Sequence, residues 1–353
     1  MRSFVIVAIM ILLIPRLEDG FFDLEFLENY YAENDLNEDE TSDDDNYDDD
    51  EHWLETEIDY EVKWLMGIES TECEKSSDIQ NLTLLSTRRY GKALVIDGLL
   101  QSSELDEYVY HESLVHPSLL IHHEPKNVFI MGGGGGYAAR EVLKHKHVEK
   151  VVICEIDKEV VNLCREHMTG IQDTFNDKRV QIVFNDAKDE LLKWEEKIDI
   201  IIGDVCDPSE SSPSNNLYVK SFYEHVVKPK LKGKGIFVTQ AGPAGIFSHK
   251  TMFSLVYVTL KQVFAYVVAY TALVPSYGDA CGWIMASDEP INIEAKQLDK
   301  MIDERIRGSL KYLDGSIIAA STVLNKPLKK SLDEETYVLT EENICFVRGH
   351  VQN

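Results

Sequence analysis

Five consecutive glycines, Gly132 to Gly136, stand between an apolar run, Val128-Phe129-Ile130-Met131, and a segment of helical pattern, residues 137–143. A buried strand that ends in glycines and runs straight into a helix brings backbone N–H groups close to whatever binds at the helix start. This unit opens a series. Residues 151–154, 180–184, 198–202 and 235–239 are further short apolar runs, separated by stretches long enough for helices. Strands alternating with helices predict an α/β fold with a parallel sheet covered on both faces.

Upstream, over residues 60–117, the pattern changes to short strands. Asp97-Gly98 between the apolar runs 93–96 and 99–100 predicts a tight hairpin. This block is expected to form a small antiparallel β-domain, with the α/β domain occupying 118–353. Residues 21–59 hold few apolar side chains, and roughly twenty acidic ones fall between Glu18 and Glu61 with no Lys or Arg. That stretch carries most of the net charge of -27 and is expected to be a disordered acidic tail. A chain of this charge is a poor match for nucleic acid. Its electrostatic partners are polyamines and divalent cations, so calcium or an extracellular matrix is a candidate partner for the tail. No twelve-residue loop with a central Gly and a closing Glu is present, which excludes an EF-hand. Arg2 followed by the apolar run 4–14, broken at Pro15, is too short for a bilayer span of about 20 residues. It fits a secretory signal over 1–20, which predicts a secreted chain with no membrane segment after signal removal. The six cysteines are widely spaced and form no CxxC, so no disulfide scaffold is expected, although secretion would permit one or two bridges. Asn81-Leu82-Thr83 is a glycosylation sequon.

Ligands of open parallel sheets bind beyond the carboxyl ends of the strands. Those ends read Gly132 to Gly136, then Glu155-Ile156-Asp157, Asn185-Asp186, Gly203-Asp204 with Cys206-Asp207-Pro208, and Gln240. Carboxylates follow three consecutive strands. Glu155 lies about twenty residues beyond the glycines, where an acid commonly takes ribose hydroxyls, so an adenosine-bearing ligand is expected. Gly133, Gly135 and Ala138 also satisfy G-x-G-x-x-A. On the residues alone, an NAD enzyme or a methyltransferase therefore stays open.

The runs 130–134, 140–145, 154–157, 185–187 and 203–208 resemble the spermidine synthase family in order and spacing, and 94–98, Gln101-Ser102, Asp106-Glu107 and Tyr110-His111-Glu112 match the region before its Rossmann-like domain. Residues 239–247 and 336–341 resemble the thermospermine synthase branch. The resemblance implies transfer of an aminopropyl group from decarboxylated S-adenosylmethionine, as co-substrate, to a polyamine. It implies no metal, no tightly bound cofactor and a homodimer formed through the small β-domain. It assigns Asp204 as the base, helped by Tyr110. Gln80, Gly132, Gly134, Gly135, Glu155 and Asp186 fall on the donor side, with Glu155 on the ribose and Asp186 on the adenine amino group. His111, Asp207, Tyr277 and Gln240 fall on the amine side.

Two positions depart from the family pattern. Its glycine loop carries an acid where this chain has Gly135, and a small residue where it has Tyr137. The lost carboxylate implies weaker donor binding, and Tyr137 is expected to crowd the loop. A secreted, catalytically impaired relative with a calcium- or matrix-binding tail is the alternative reading.

Overall fold

The computed structural model describes residues 52–59, 61–208 and 212–344. The expected signal peptide, most of the acidic tail and Cys345 lie outside the described residues. The described residues form one compact unit.

The small sheet has five antiparallel strands in sequence order: β1 (Trp53–Asp59), β2 (Val62–Ser76), β3 (Asn81–Thr87), β4 (Gly91–Ile96) and β5 (Leu99–Ser103). Strand β1 falls within residues 21–59, where a disordered tail was expected. The reason is local: Leu54, Thr56 and Ile58 are half-buried and alternate with exposed Trp53, Glu55 and Glu57. A period of two lets one face pack even in an acidic run. The β4–β5 turn is the expected tight hairpin. Asp97 and Gly98 take φ of 48° and 79°, the paired positive values that match strand twist.

Helix α1 (Glu107–Ile121) follows, so the boundary expected at 117/118 falls inside a helix. Pro117 does not end it. Proline lacks the N–H that would bond the carbonyl four residues back. Here the Tyr270 hydroxyl donates to that Ser113 carbonyl across 3.0 Å.

The large sheet contains β6 (Asn127–Gly132), β7 (Lys150–Glu155), β8 (Val180–Phe184), β9 (Ile198–Asp204), β10 (Leu231–Pro243), β11 (Tyr266–Val274) and β12 (Asp279–Ser287) in the order β11-β12-β10-β9-β6-β7-β8. The five strands read from the sequence are parallel to one another. Strands β11 and β12, which carried no sequence expectation, add an antiparallel edge. Successive residues face opposite sides. Val128, Ile130, Val151, Ile153, Ile200 and Ile202 join one apolar cluster together with Leu114 and Val115 of α1. Phe129, Met131, Val152, Cys154 and Ile201 join the other. Burial on both faces explains the unbroken apolar runs. The helices that matter for the site are α2 (Tyr137–Leu143), α3 (Lys158–His167) and α4 (Ala187–Lys193). Among the described residues, no helix is long and apolar enough to cross a membrane. Cys73, Cys154, Cys164, Cys206 and Cys281 are free thiols.

The small sheet is fastened to the carboxyl end of β7 and along α3, the helix that follows it. The Ser77 hydroxyl donates to Asp157 Oδ2 (2.6 Å), Lys92 Nζ donates to the His167 carbonyl (3.0 Å), and Lys75 pairs with Glu159.

Candidate active site

Strands β6 and β9 are neighbours, and Gly132 stands opposite Asp204 in their register. Strand order reverses here, with β7 and β8 to one side and β9 and β10 to the other. Such a switch point opens a crevice at the strand ends. The Gly133 N–H donates to the Asp204 carbonyl across 3.1 Å, which closes the loop on β9. Gly132 has φ 72°, and a Cβ there would lie 2.3 Å from that carbonyl oxygen. Only glycine fits. Gly134 N–H donates to Glu155 Oε2 (3.0 Å), and Asp157 N–H donates to Oε1 (3.1 Å). Burial pushes the Glu155 carboxyl up to about 7, against the pull of those N–H groups.

Gly135 differs from its neighbours. Its φ lies outside the left-handed region, and a Cβ would meet only Tyr137 Cδ2, at 3.7 Å. The loop therefore has room for a side chain at 135. Tyr137 does not crowd it, contrary to expectation. Its ring turns inward toward His111, with centroids 5.2 Å apart, and lies under the Arg140 guanidinium at 5.0 Å.

Asp186 caps α4, accepting from Lys188 N (2.8 Å) and Asp189 N (3.1 Å) through Oδ1. Gln80 is held by its backbone, its N–H donating to Ser77 Oγ (3.0 Å) in the same turn that bonds Asp157. Asn81 is exposed and closes the turn region on Asp97, its N–H donating to Oδ1 at 2.8 Å.

On the other side of the loop, the Tyr110 hydroxyl donates to Asp204 Oδ1 across 3.2 Å. Burial raises the Asp204 carboxyl above its ordinary range, and His111 and Tyr110 offset this only in part. His111 Nδ1 lies 3.0 Å from Glu107 Oε2 and 2.7 Å from the Glu107 carbonyl. Tyr110 sits edge-on to Tyr277 and Trp283, with centroids 6.0 and 5.5 Å away. Gln240 Nε2 donates to Asp207 Oδ1 (2.9 Å) and the Val205 carbonyl (2.8 Å), fixing the turn after β9. The named acids, tyrosines and glutamines thus gather around one sheet edge, with Asn81 at its margin.

Sequence reasoning gave no role to three residues that frame this edge. The Gln101 side chain accepts from Cys206 Sγ (3.3 Å), and its carbonyl accepts from the Tyr277 hydroxyl (2.5 Å). Asp106 accepts from Ser103 Oγ (2.5 Å) and Ser276 N (2.7 Å), placing the turn that carries Tyr277. Trp283 is fully buried against Tyr110. The strands that bring in Tyr277 and Trp283 left no periodic signal, although Gln101 and Asp106 stand in quoted motifs.

Glu112, His116 and Glu141 lie close enough together to hold a metal ion. Their charges are already met. Lys144 Nζ is 2.5 Å from Glu141, Arg140 Nε is 2.8 Å from it, and Glu112 accepts three backbone N–H groups from residues 311–313. An ammonium group therefore stands where a cation would.

Residues 107–297 match the spermine/spermidine synthase domain. Thermospermine synthase ACAULIS5 of Arabidopsis thaliana is 52% identical over 299 residues, covering 85% of this chain and 88% of that protein. A polyamine aminopropyltransferase of Sulfurisphaera tokodaii is 36% identical over 296 residues, covering 83% and 97%. A spermidine synthase crystallised with the transition-state analogue AdoDATO superposes with a TM-score of 0.73 at 29% identity, covering 80% and 95%.

Proposed function

The chain belongs to the spermine/spermidine synthase family, and on that premise we propose that it transfers an aminopropyl group from decarboxylated S-adenosylmethionine to a polyamine, with spermidine as acceptor and thermospermine or spermine as product. The placement of Asp204 carries this reading: its half-buried carboxylate, bonded to Tyr110, faces the glycine loop at the switch point.

The donor lies along the loop. Its ribose hydroxyls donate to Glu155, its adenine amino group donates to Asp186, and Gln80 closes over it from the small sheet. The acceptor amine arrives as an ammonium, since alkylamines have a pKa of about 10. Asp204 takes its proton, and Tyr110 holds the carboxylate in place. The freed nitrogen lone pair attacks the aminopropyl carbon beside the sulfonium. An N–C bond forms, the C–S bond breaks, and its electron pair leaves on sulfur as methylthioadenosine. The leaving group is already activated, so position accounts for most of the catalysis. Asp207, held by Gln240, takes a second ammonium of the polyamine. His111 and Tyr277 wall the amine channel.

The test is incubation of the purified protein with decarboxylated S-adenosylmethionine and spermidine, with mass analysis of products. Equimolar methylthioadenosine and a tetraamine are expected, and chromatography separates thermospermine from spermine. Methylated product, or none, overturns the assignment.

The apolar run 4–14 and the acidic residues after it support a further proposal: the chain is secreted, and its tail takes up calcium. Sedimentation with and without calcium tests the tail, and the same runs read the homodimer proposed through the small sheet. Intact mass of secreted protein gives the cleavage point and glycan occupancy at Asn81.

A further inference from the structure

Helix α2, which leaves the glycine loop, is joined to the base by a chain of side chains. Arg140 Nη2 donates to both oxygens of Glu107, at 2.8 and 2.9 Å. Glu107 Oε2 in turn lies 3.0 Å from His111 Nδ1. His111 is one residue from Tyr110, whose hydroxyl reaches Asp204. The chain is sheltered: the side chain of Glu107 is 3% exposed and that of His111 8%. A carboxylate so deeply buried is retained only with partners. Arg140 is itself fixed, by Glu141 at 2.8 Å and by the Tyr137 ring.

We infer that Glu107 and Arg140 are positioning residues that orient the His111 imidazole beside Asp204 and tie the donor loop to the base. This rests on the transferase reading above. Glu107 takes no part in binding donor or amine. It fixes which ring nitrogen carries the proton toward α1 and leaves Nε2 directed away from that helix's carboxylate.

The charges agree with the geometry. The groups facing His111 are Glu107 and Tyr110 from α1, Arg140 and Tyr137 from α2, and Asp204 from β9. Burial pushes the imidazole toward neutrality, but Glu107, with help from Asp204, outweighs it and holds His111 above its ordinary range. Burial pushes Glu107 up, and His111 and Arg140 outweigh that in turn. A protonated His111 lowers the carboxyl of Asp204. Removing the Glu107 charge therefore lowers the pKa of His111 and raises that of Asp204.

The experiment is NMR titration of ring-labelled histidines in the full protein, with His111 assigned through His111→Gln, for wild type and Glu107→Gln. In wild type, His111 is expected to titrate above the ordinary value of about 6.5, and in Glu107→Gln to fall by about one pH unit or more. The acid limb of kcat/KM is expected to move up in Glu107→Gln, and not to move when the same change is made in His111→Gln. If Glu107→Gln does not fold, Glu107→Asp, one methylene shorter, is expected to give a smaller shift of the same sign. An unmoved His111 titration in a folded variant, or an equal limb shift without His111, overturns the inference. If wild type forms no aminopropylated product, the transferase reading fails, and the imidazole titration still decides this one.

Discussion

The Tyr110 hydroxyl and Asp204 Oδ1 are 3.2 Å apart, a bond that joins the first turn of α1 to the last residue of β9. It places a donor on the carboxylate that stands opposite Gly132 in the register of β6 and β9. Asp204→Asn keeps the shape and removes the proton acceptor, so kcat is expected to fall by about 10²–10⁴-fold. Tyr110→Phe removes one hydrogen bond to a charged group and is expected to cost roughly tenfold or more. Product formation under saturating substrates reads both. Equal losses would mean that Asp204 acts only through its bond to Tyr110 and not as an independent proton acceptor.

Gly135 has no steric need to be glycine. On the proposed reading, Gly135→Asp puts a carboxylate beside the donor's ammonium, and its Cβ meets only an ordinary contact. Donor affinity is expected to rise by about 10–100-fold, as for a hydrogen bond between charged groups. Calorimetry with decarboxylated S-adenosylmethionine checks this, with ordinary S-adenosylmethionine as control, whose own carboxylate opposes the new one. No change would place the ammonium elsewhere.

The Glu155 carboxyl is pushed by burial from an ordinary 4.5 to about 7. A folded-state pKa above the unfolded one stabilises the fold fully below 4.5, and that contribution is lost as pH rises through about 7. Ribose hydroxyls donate to the ionised form, so ligand binding has the opposite slope. Methylthioadenosine is expected to bind more weakly below pH 7 and to release a proton on binding between pH 6 and 7. Calorimetry in buffers of different ionisation enthalpy measures that proton.

Gly136 has φ 82°, and a Cβ there would come 2.6 Å from the Phe175 ring. Gly136→Ala is expected to lose about 1–3 kcal/mol from backbone strain alone. Thermal unfolding should register it even without ligand.

The hydroxyl of Tyr137 is buried and has no partner. Tyr137→Phe is expected to leave stability unchanged or raise it by about 1 kcal/mol or more, since a buried, unsatisfied hydroxyl is removed. Urea unfolding gives the sign.

The parallel strands were legible because burial on both faces writes them as apolar runs, as in residues 128–131 and 198–202. The acids at their ends were legible because strand ends are where side chains meet a ligand. Strand β1 was hidden by its charge, although Leu54, Thr56 and Ile58 alternate. The link from Arg140 through Glu107 to His111 was not legible at all. It joins residues 33 apart in the chain through the packing of two helices, and no local pattern encodes such a pair.

Gly132 and Asp204 stand opposite one another because β6 and β9 run parallel in one fixed register. Side chains on a strand alternate between faces, so adding or deleting one residue within β9 turns the carboxylate to the far side of the sheet. The isoleucines of β9 are exchangeable among branched aliphatics, but their number is not. Along this strand, counting constrains the chain more tightly than spelling does.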